Sequence, residues 1–110
     1  MIYSAKQVRS IGINKILTEF KTGRNVFVTF GIDAMDYSIS PGTGSPMFGG
    51  FYYDEVNEML ECIAKEFDVI GFDFVEVSSP YDDLGSTACY LAARLIADFL
   101  GFVAKEKEID

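Results

Sequence analysis

The sequence contains no histidine and no tryptophan, and only two cysteines and three prolines among its 110 residues. Without histidine no side chain has an ordinary pKa near neutrality, which excludes histidine general acid–base catalysis and a Ser–His triad. Cys62 and Cys89 have no C-x-x-C spacing. Both fall in apolar helical surroundings, where cysteine behaves as a small buried hydrophobe. Reduced thiols of this kind are expected in the cytoplasm. Basic residues are also scarce: nine Lys and Arg face 17 Asp and Glu, for a formal charge of -8. That balance argues against nucleic acid or an anionic membrane as a partner. It suits a cationic ligand such as a guanidinium or an amine, and it equally serves solubility alone. No basic segment leads into an apolar run, so no signal peptide is expected. The most apolar stretch, residues 88–104, carries Arg94 and Asp98, which are costly in hydrocarbon, and reads as a core helix.

What is present supports a packed globule. Hydrophobic residues make up 49% of the chain, with ten Phe and six Tyr, a composition foreign to disordered segments. The length bounds the chain to a single domain, residues 1–110, able to bury roughly 65% of its unfolded surface. Ser4 with Gln7 fits a capping box. Val8, Ile11, Ile16, Leu17 and Phe20 then recur at near-helical spacing, with a break at Gly12 and an end at Gly23. Val26 to Phe30 is an apolar run without alternation, the pattern of a parallel strand buried on both faces. A loop from Tyr37 to Gly50 follows. Residues 54–67 form an amphipathic helix with Val56, Met59, Leu60 and Ile63 on one face. Val69 to Val77 reads as a second strand, stopped by Ser78-Ser79-Pro80. Ser86 or Asp83 caps a last helix reaching about Leu100, with Gly101 at its end and a charged, fraying tail from Lys105 to Asp110. The expected architecture is α/β: a βαβ unit in a parallel sheet segment of the three-layer type, with flanking helices. Two parallel strands alone leave both sheet edges unpaired.

The stretch Phe30-Gly31-Ile32-Asp33-Ala34-Met35-Asp36 runs from strand into carboxylates and then into Pro41-Gly42-Thr43-Gly44-Ser45-Pro46 and Gly49-Gly50. Residues two apart on a strand share a face, so Asp33 and position 31 are expected to look into one site at the strand's carboxyl end. Paired carboxylates there would hold a hard cation, but position 31 is glycine. Asp33 alone reads as a metal ligand or as a loop cap, and Asp36 as a loop cap. Dinucleotide, Walker-type and nucleic-acid-stacking readings fail on spacing or on missing basic residues.

The segment T-F-G-I-D-A-M-D followed by P-G-T-G-S-P-M-F-G-G resembles a metal-binding signature of the ureohydrolase family, the arginases and agmatinases. A second block, G-F-D-F-V-E-V-S-S-P-Y-D from Gly71 to Asp82, is similar to the agmatinase form and continues into Thr87-Ala88 and Leu91 to Arg94. The resemblance covers the chain from about Ser4 to Gly101. It implies the C-terminal part of an arginase-like fold and a manganese-dependent hydrolysis of a guanidino group that releases urea. It implies Asp33 as a metal ligand and Glu76 as the acid that holds the substrate guanidinium. Gly31 stands where the family places the carboxylate bridging two manganese ions, and the family's remaining ligands, histidines included, lie N-terminal to the matching segment. No catalytic residue is assigned, and the chain alone is expected to be inactive towards agmatine or arginine. The alternative is a non-catalytic assembly module, associating through its sheet edges with itself or with a complementary N-terminal chain.

Overall fold

The computed structural model describes residues 1–20 and 24–108. Ser4 opens α1 (Ala5–Ile11) with the predicted capping box: its Oγ accepts the Gln7 N–H at 3.1 Å, and its own N–H donates to Gln7 Oε1 at 2.8 Å. Gly12 breaks the helix at φ +92°, and α2 (Ile13–Leu17) restarts at once and turns Ile16 and Leu17 inward. The end expected at Gly23 lies outside the described residues. α1 buries no residue of its own. Arg9 tethers it, donating to Glu55 at 2.7 Å and to the Gly50 carbonyl at 2.6 Å while lying over the Phe51 ring.

β1 (Asn25–Gly31) and β2 (Asp68–Val75) pair in parallel from Asn25↔Asp68 to Gly31↔Val75, with the register skipping Ile70. The α-helix between them, α3 (Tyr53–Glu66), completes the βαβ unit. It starts where Glu55 Oε1 accepts the Tyr52 N–H, and it buries Val56, Leu60 and Ala64. α4 (Thr87–Glu106) packs beside it with Ala88, Ala92, Leu95 and Phe99 inward. Val56 and Leu95 meet the inward sheet residues Val26, Val28 and Val69 in one core, where Phe99 stacks edge-on against Phe72 at 4.9 Å.

Four expectations are corrected. The strands are not buried on both faces: among the described residues the helices cover one side, leaving Phe27 60% and Ile70 65% exposed on the other. β2 ends at Val75, not Val77, because Glu76 turns the chain at φ +72°, outside extended backbone. α4 does not stop at Gly101 but runs through it to Glu106, carried by Phe102 and Val103, which pack against the core. Lys105 and Glu106 therefore belong to the helix and not to a frayed tail, and Ile109 and Asp110 lie outside the described residues. By length and composition α4 is apolar enough to cross a membrane, and here its Ala88–Phe99 stripe lies in the core.

Candidate functional site

The site forms where the two strands end. β1 stops at Gly31, and the next three residues wind into a 3-10 turn, Ile32–Ala34. Ile32 and Met35 are fully buried and pin this turn against the core. Asp33 is thereby left at the surface of the turn, half-buried. Strand alternation is not what brings it to position 31. The turn folds the carboxylate back over the glycine, so that a Cβ at residue 31 would lie 2.5 Å from Asp33 Oδ1. The same point is 3.8 Å from Glu76 Cγ, which reaches over from the end of β2. Gly31, Asp33 and Glu76 are thus gathered into one place, 45 sequence positions spanned by one pair of strands.

The loop from Tyr37 to Gly50 is built by its polar and glycine residues. Asp36 accepts from the Ser38 N–H at 3.0 Å, the Ser38 hydroxyl at 2.6 Å and the Gly49 N–H at 2.9 Å. These donors, the Ser38 hydroxyl foremost, hold its carboxyl below the usual carboxylate pKa. Asp36 is therefore the loop cap that its position suggests. Gly50 passes under the turn so closely that a Cβ would meet the Asp36 nitrogen and the Met35 carbonyl carbon, each at 2.5 Å. Backbone bonds lock this crossing: Asp36 N–H to Phe51 O and Phe51 N–H to Ala34 O, both 2.9 Å. The result is an open cavity of about 680 Å³ with Gly31 and Asp33 on one wall and Met47 to Gly50 on another. Lys6 of α1 also borders it.

Sequence reasoning left Asp82 without a role, and the structure supplies one. Its carboxylate accepts the Ala88 and Cys89 N–H groups at 3.1 Å each, at the start of α4. It lies so close over Gly42 that a Cβ there would come within 2.5 Å of Asp82 Cγ. Burial pushes the Asp82 pKa up, but the N–H donors of Ala88 and Cys89 outweigh it and the net shift is downward. Beside it, the Ser78 N–H donates to the Gly42 carbonyl at 2.7 Å. The Pro-Gly loop after β1 and the segment after β2 are thereby one assembly. Asp83, and not Ser86, caps the helix: it accepts from the Thr87 N–H at 2.9 Å and the Thr87 hydroxyl at 2.6 Å. Ser86 sits at φ +54° and makes no side-chain cap bond. Two acidic residues a few positions before a helix are a legible signal of this arrangement.

As a metal centre, this donor set is thin. Among the described residues no group of three or more Cys, Asp or Glu side chains stands close enough to hold a metal ion. Both cysteines are free thiols on separate helices. The arrangement can offer one or two carboxylates to a cation at the strand ends, with the exposed Phe48 and Met47 side chains at the rim.

Three comparisons bear on what this geometry belongs to. The sequence profile of the Arginase family matches residues 1–101. The agmatinase of Proteus mirabilis is 36% identical over 110 residues, an alignment covering 96% of this chain and 35% of the relative. Proclavaminate amidino hydrolase from Streptomyces clavuligerus superposes with a TM-score of 0.83 at 31% identity, over 94% of this chain and 36% of that one. The agmatine ureohydrolase of Thermoplasma volcanium does so at 0.81 and 28% identity, over 96% and 35%. The chain thus spans about a third of the length of the relatives it matches, and its two strands and flanking helices are a partial arginase fold.

Proposed function

The chain belongs to the arginase family, and on that premise we propose that it forms part of a ureohydrolase site for a guanidino compound, with agmatine the favoured substrate. The observation that carries this reading is the meeting of Gly31, Asp33 and Glu76 at the carboxyl ends of two parallel strands, where α/β folds place ligands. Glu76 is assigned to the substrate cation, as a carboxylate facing a guanidinium. Asp33 is assigned as one ligand of the family's manganese. The donors of this chain do not fit a manganese pair, because Gly31 offers no side-chain oxygen, the sequence has no histidine, and no further carboxylate joins Asp33 and Glu76 among the described residues. Hydrolysis therefore needs donors beyond those seen here, and the chain's own contribution is recognition of the cation.

Urea release from agmatine or arginine in the presence of Mn²⁺ tests the reading. None is expected from this chain, nor from Gly31→Asp, which restores one carboxylate while the histidines stay absent. Metal-dependent turnover by either would overturn it. Titration with agmatine followed by NMR tests recognition. Resonances of the 31–36 and 76–82 segments are expected to shift, and Glu76→Gln is expected to weaken the effect roughly tenfold, the weight of one charged hydrogen bond. A second reading, the assembly module, is favoured by one observation: among the described residues the outer edge of β1 has no partner strand, and β1 carries no charged residue.

A further inference from the structure

Glu76 carries the charge assigned to the guanidinium, yet its backbone sits at φ +72°, in the left-handed region. Only glycine enters that region freely, so another residue stays there only where the chain on both sides is held. Upstream, the hold is the last rung of the sheet, Gly31↔Val75. Downstream, it is the Ser78 N–H, which donates to the Gly42 carbonyl at 2.7 Å. Gly42 is buried and is itself tied to the turn that bears Asp33, because the Ser40 hydroxyl donates to the Ile32 carbonyl at 3.2 Å. A bracket running from Ile32 through Ser40 and Gly42 to Ser78 thus joins the Asp33 turn to the Glu76 turn.

Asp82 closes that bracket. Its carboxylate lies against Gly42 so closely that no Cβ fits between them. Both of its oxygens are occupied: Oδ1 accepts the Asp83 N–H at 3.0 Å and the Ala88 N–H at 3.1 Å, and Oδ2 accepts the Cys89 N–H at 3.1 Å. The segment after Glu76 is thereby pinned between the loop and α4, which is anchored in the core by Ala88, Ala92, Leu95 and Phe99. We propose that Asp82 is a positioning residue for Glu76: by gripping Gly42 and the start of α4 together, it sets where the Glu76 carboxylate stands relative to Asp33, and with it the affinity for a guanidinium. That role rests on the guanidino reading of the site. A plain helix cap behaves differently. Asp83 caps the same helix, but its carboxylate is taken up by Thr87 and not by the loop. If Asp82 served the helix alone, losing either acid would have the same effect on Glu76.

The contrast between the two acids is the test, read by NMR on the intact chain with agmatine as the probe. Asp82→Ala is expected to speed exchange of the Ser78 amide by roughly tenfold, the weight of one released hydrogen bond, and to move the Glu76 signals before any ligand is added. Agmatine binding is expected to weaken by up to roughly tenfold, the loss expected of Glu76→Gln itself. Asp83→Ala is expected to lower the thermal midpoint while leaving Ser78 protection, the Glu76 signals and agmatine affinity as in the wild type. In a Glu76→Gln background Asp82→Ala is expected to cost no further affinity, since effects exerted through one group do not add. The gentler pair Asp82→Asn and Asp83→Asn keeps one acceptor oxygen at each position. Should the alanine chains fail to fold, this pair is expected to show the same contrast at about threefold. Equal effects of the two acids on Ser78 and Glu76, or losses that add to that of Glu76→Gln, overturn the positioning role. A wild-type chain that gives no response to agmatine overturns the guanidino reading and the effect on affinity with it, while Ser78 exchange still decides whether Asp82 holds the turn.

Discussion

Gly44 and Gly50 lie six positions apart in one loop and answer to different constraints. Around Gly44 a Cβ would find open space, whereas at Gly50 it would strike backbone atoms of Met35 and Asp36 that cannot give way. Gly50→Ala is therefore expected to cost about 1–3 kcal/mol, the scale of overpacking, and to lower the thermal midpoint by several degrees. Gly44→Ala is expected to leave it within about 0.5 kcal/mol of wild type, the range of an inconsequential surface change. The acids near the site set a pH dependence. Asp36, Asp82 and Asp83 all have carboxyl pKa values lowered in the folded chain, Asp83 chiefly by the Thr87 hydroxyl and then by the Thr87 N–H. A lowered folded pKa contributes stability that is present above the ordinary value of 3.8 and is lost as pH falls through the folded one. Asp83→Asn keeps an acceptor oxygen but removes that charge. Urea midpoints measured from pH 7 down to about pH 3 are expected to separate wild type from variant at the upper end and to converge at the lower. At this scale the site was legible in part. The residues Gly31, Asp33 and Glu76 could be picked from the chain, as could Asp36 as a loop cap. The juxtaposition of Asp33 with position 31 could not be derived correctly, because a 3-10 turn and not strand alternation produces it. The clamp of Asp82 on Gly42 joins residues 40 positions apart, and no local pattern announces such a contact.

Helix α4 shows how packing overrides local preference. Gly101 carries the signature of a helix end, and a reading by residue type stops there. The helix continues because Phe102 and Val103 add to the core beyond it, and that burial outweighs the roughly 1 kcal/mol a mid-helix glycine costs. Gly101 is exposed and a Cβ there meets nothing within 4 Å. Gly101→Ala is expected to stabilise the chain by about 0.5–1 kcal/mol, raising the thermal midpoint by roughly 2–8 °C. The other elements were readable to within a residue or two, since capping at Ser4, the break at Gly12 and the amphipathic face of α3 are all local signals. The end of β2 was not, because the left-handed turn falls on Glu76 and not on a glycine that would have signalled it.

The molecule measures 40 × 35 × 19 Å, with a radius of gyration of 14.2 Å against about 13 Å for a compact chain of this length. A thickness of 19 Å accommodates one sheet and one layer of helices, each about 10 Å deep. The strands have the composition of a sheet covered on both faces, and that composition is what the three-layer expectation read. Covering is a property of the whole assembly, so strand sequence alone could not say that only one helical layer is supplied by the described residues. The accessible surface of 6954 Å², against the roughly 6,100 Å² typical of a folded monomer of this mass, follows from the same flatness.

The parallel pairing of Asn25 with Asp68 separates the two halves of the first rung by 43 positions. Closing a loop of that length carries its entropic cost before any rung returns a hydrogen bond, so the ladder is expected to form after α3 has wound. Throughout that interval β1 waits as an uncharged strand with two vacant edges. Refolding yield of this chain is then expected to fall as its concentration rises, because an unpaired apolar strand is exposed to other chains until its internal partner arrives.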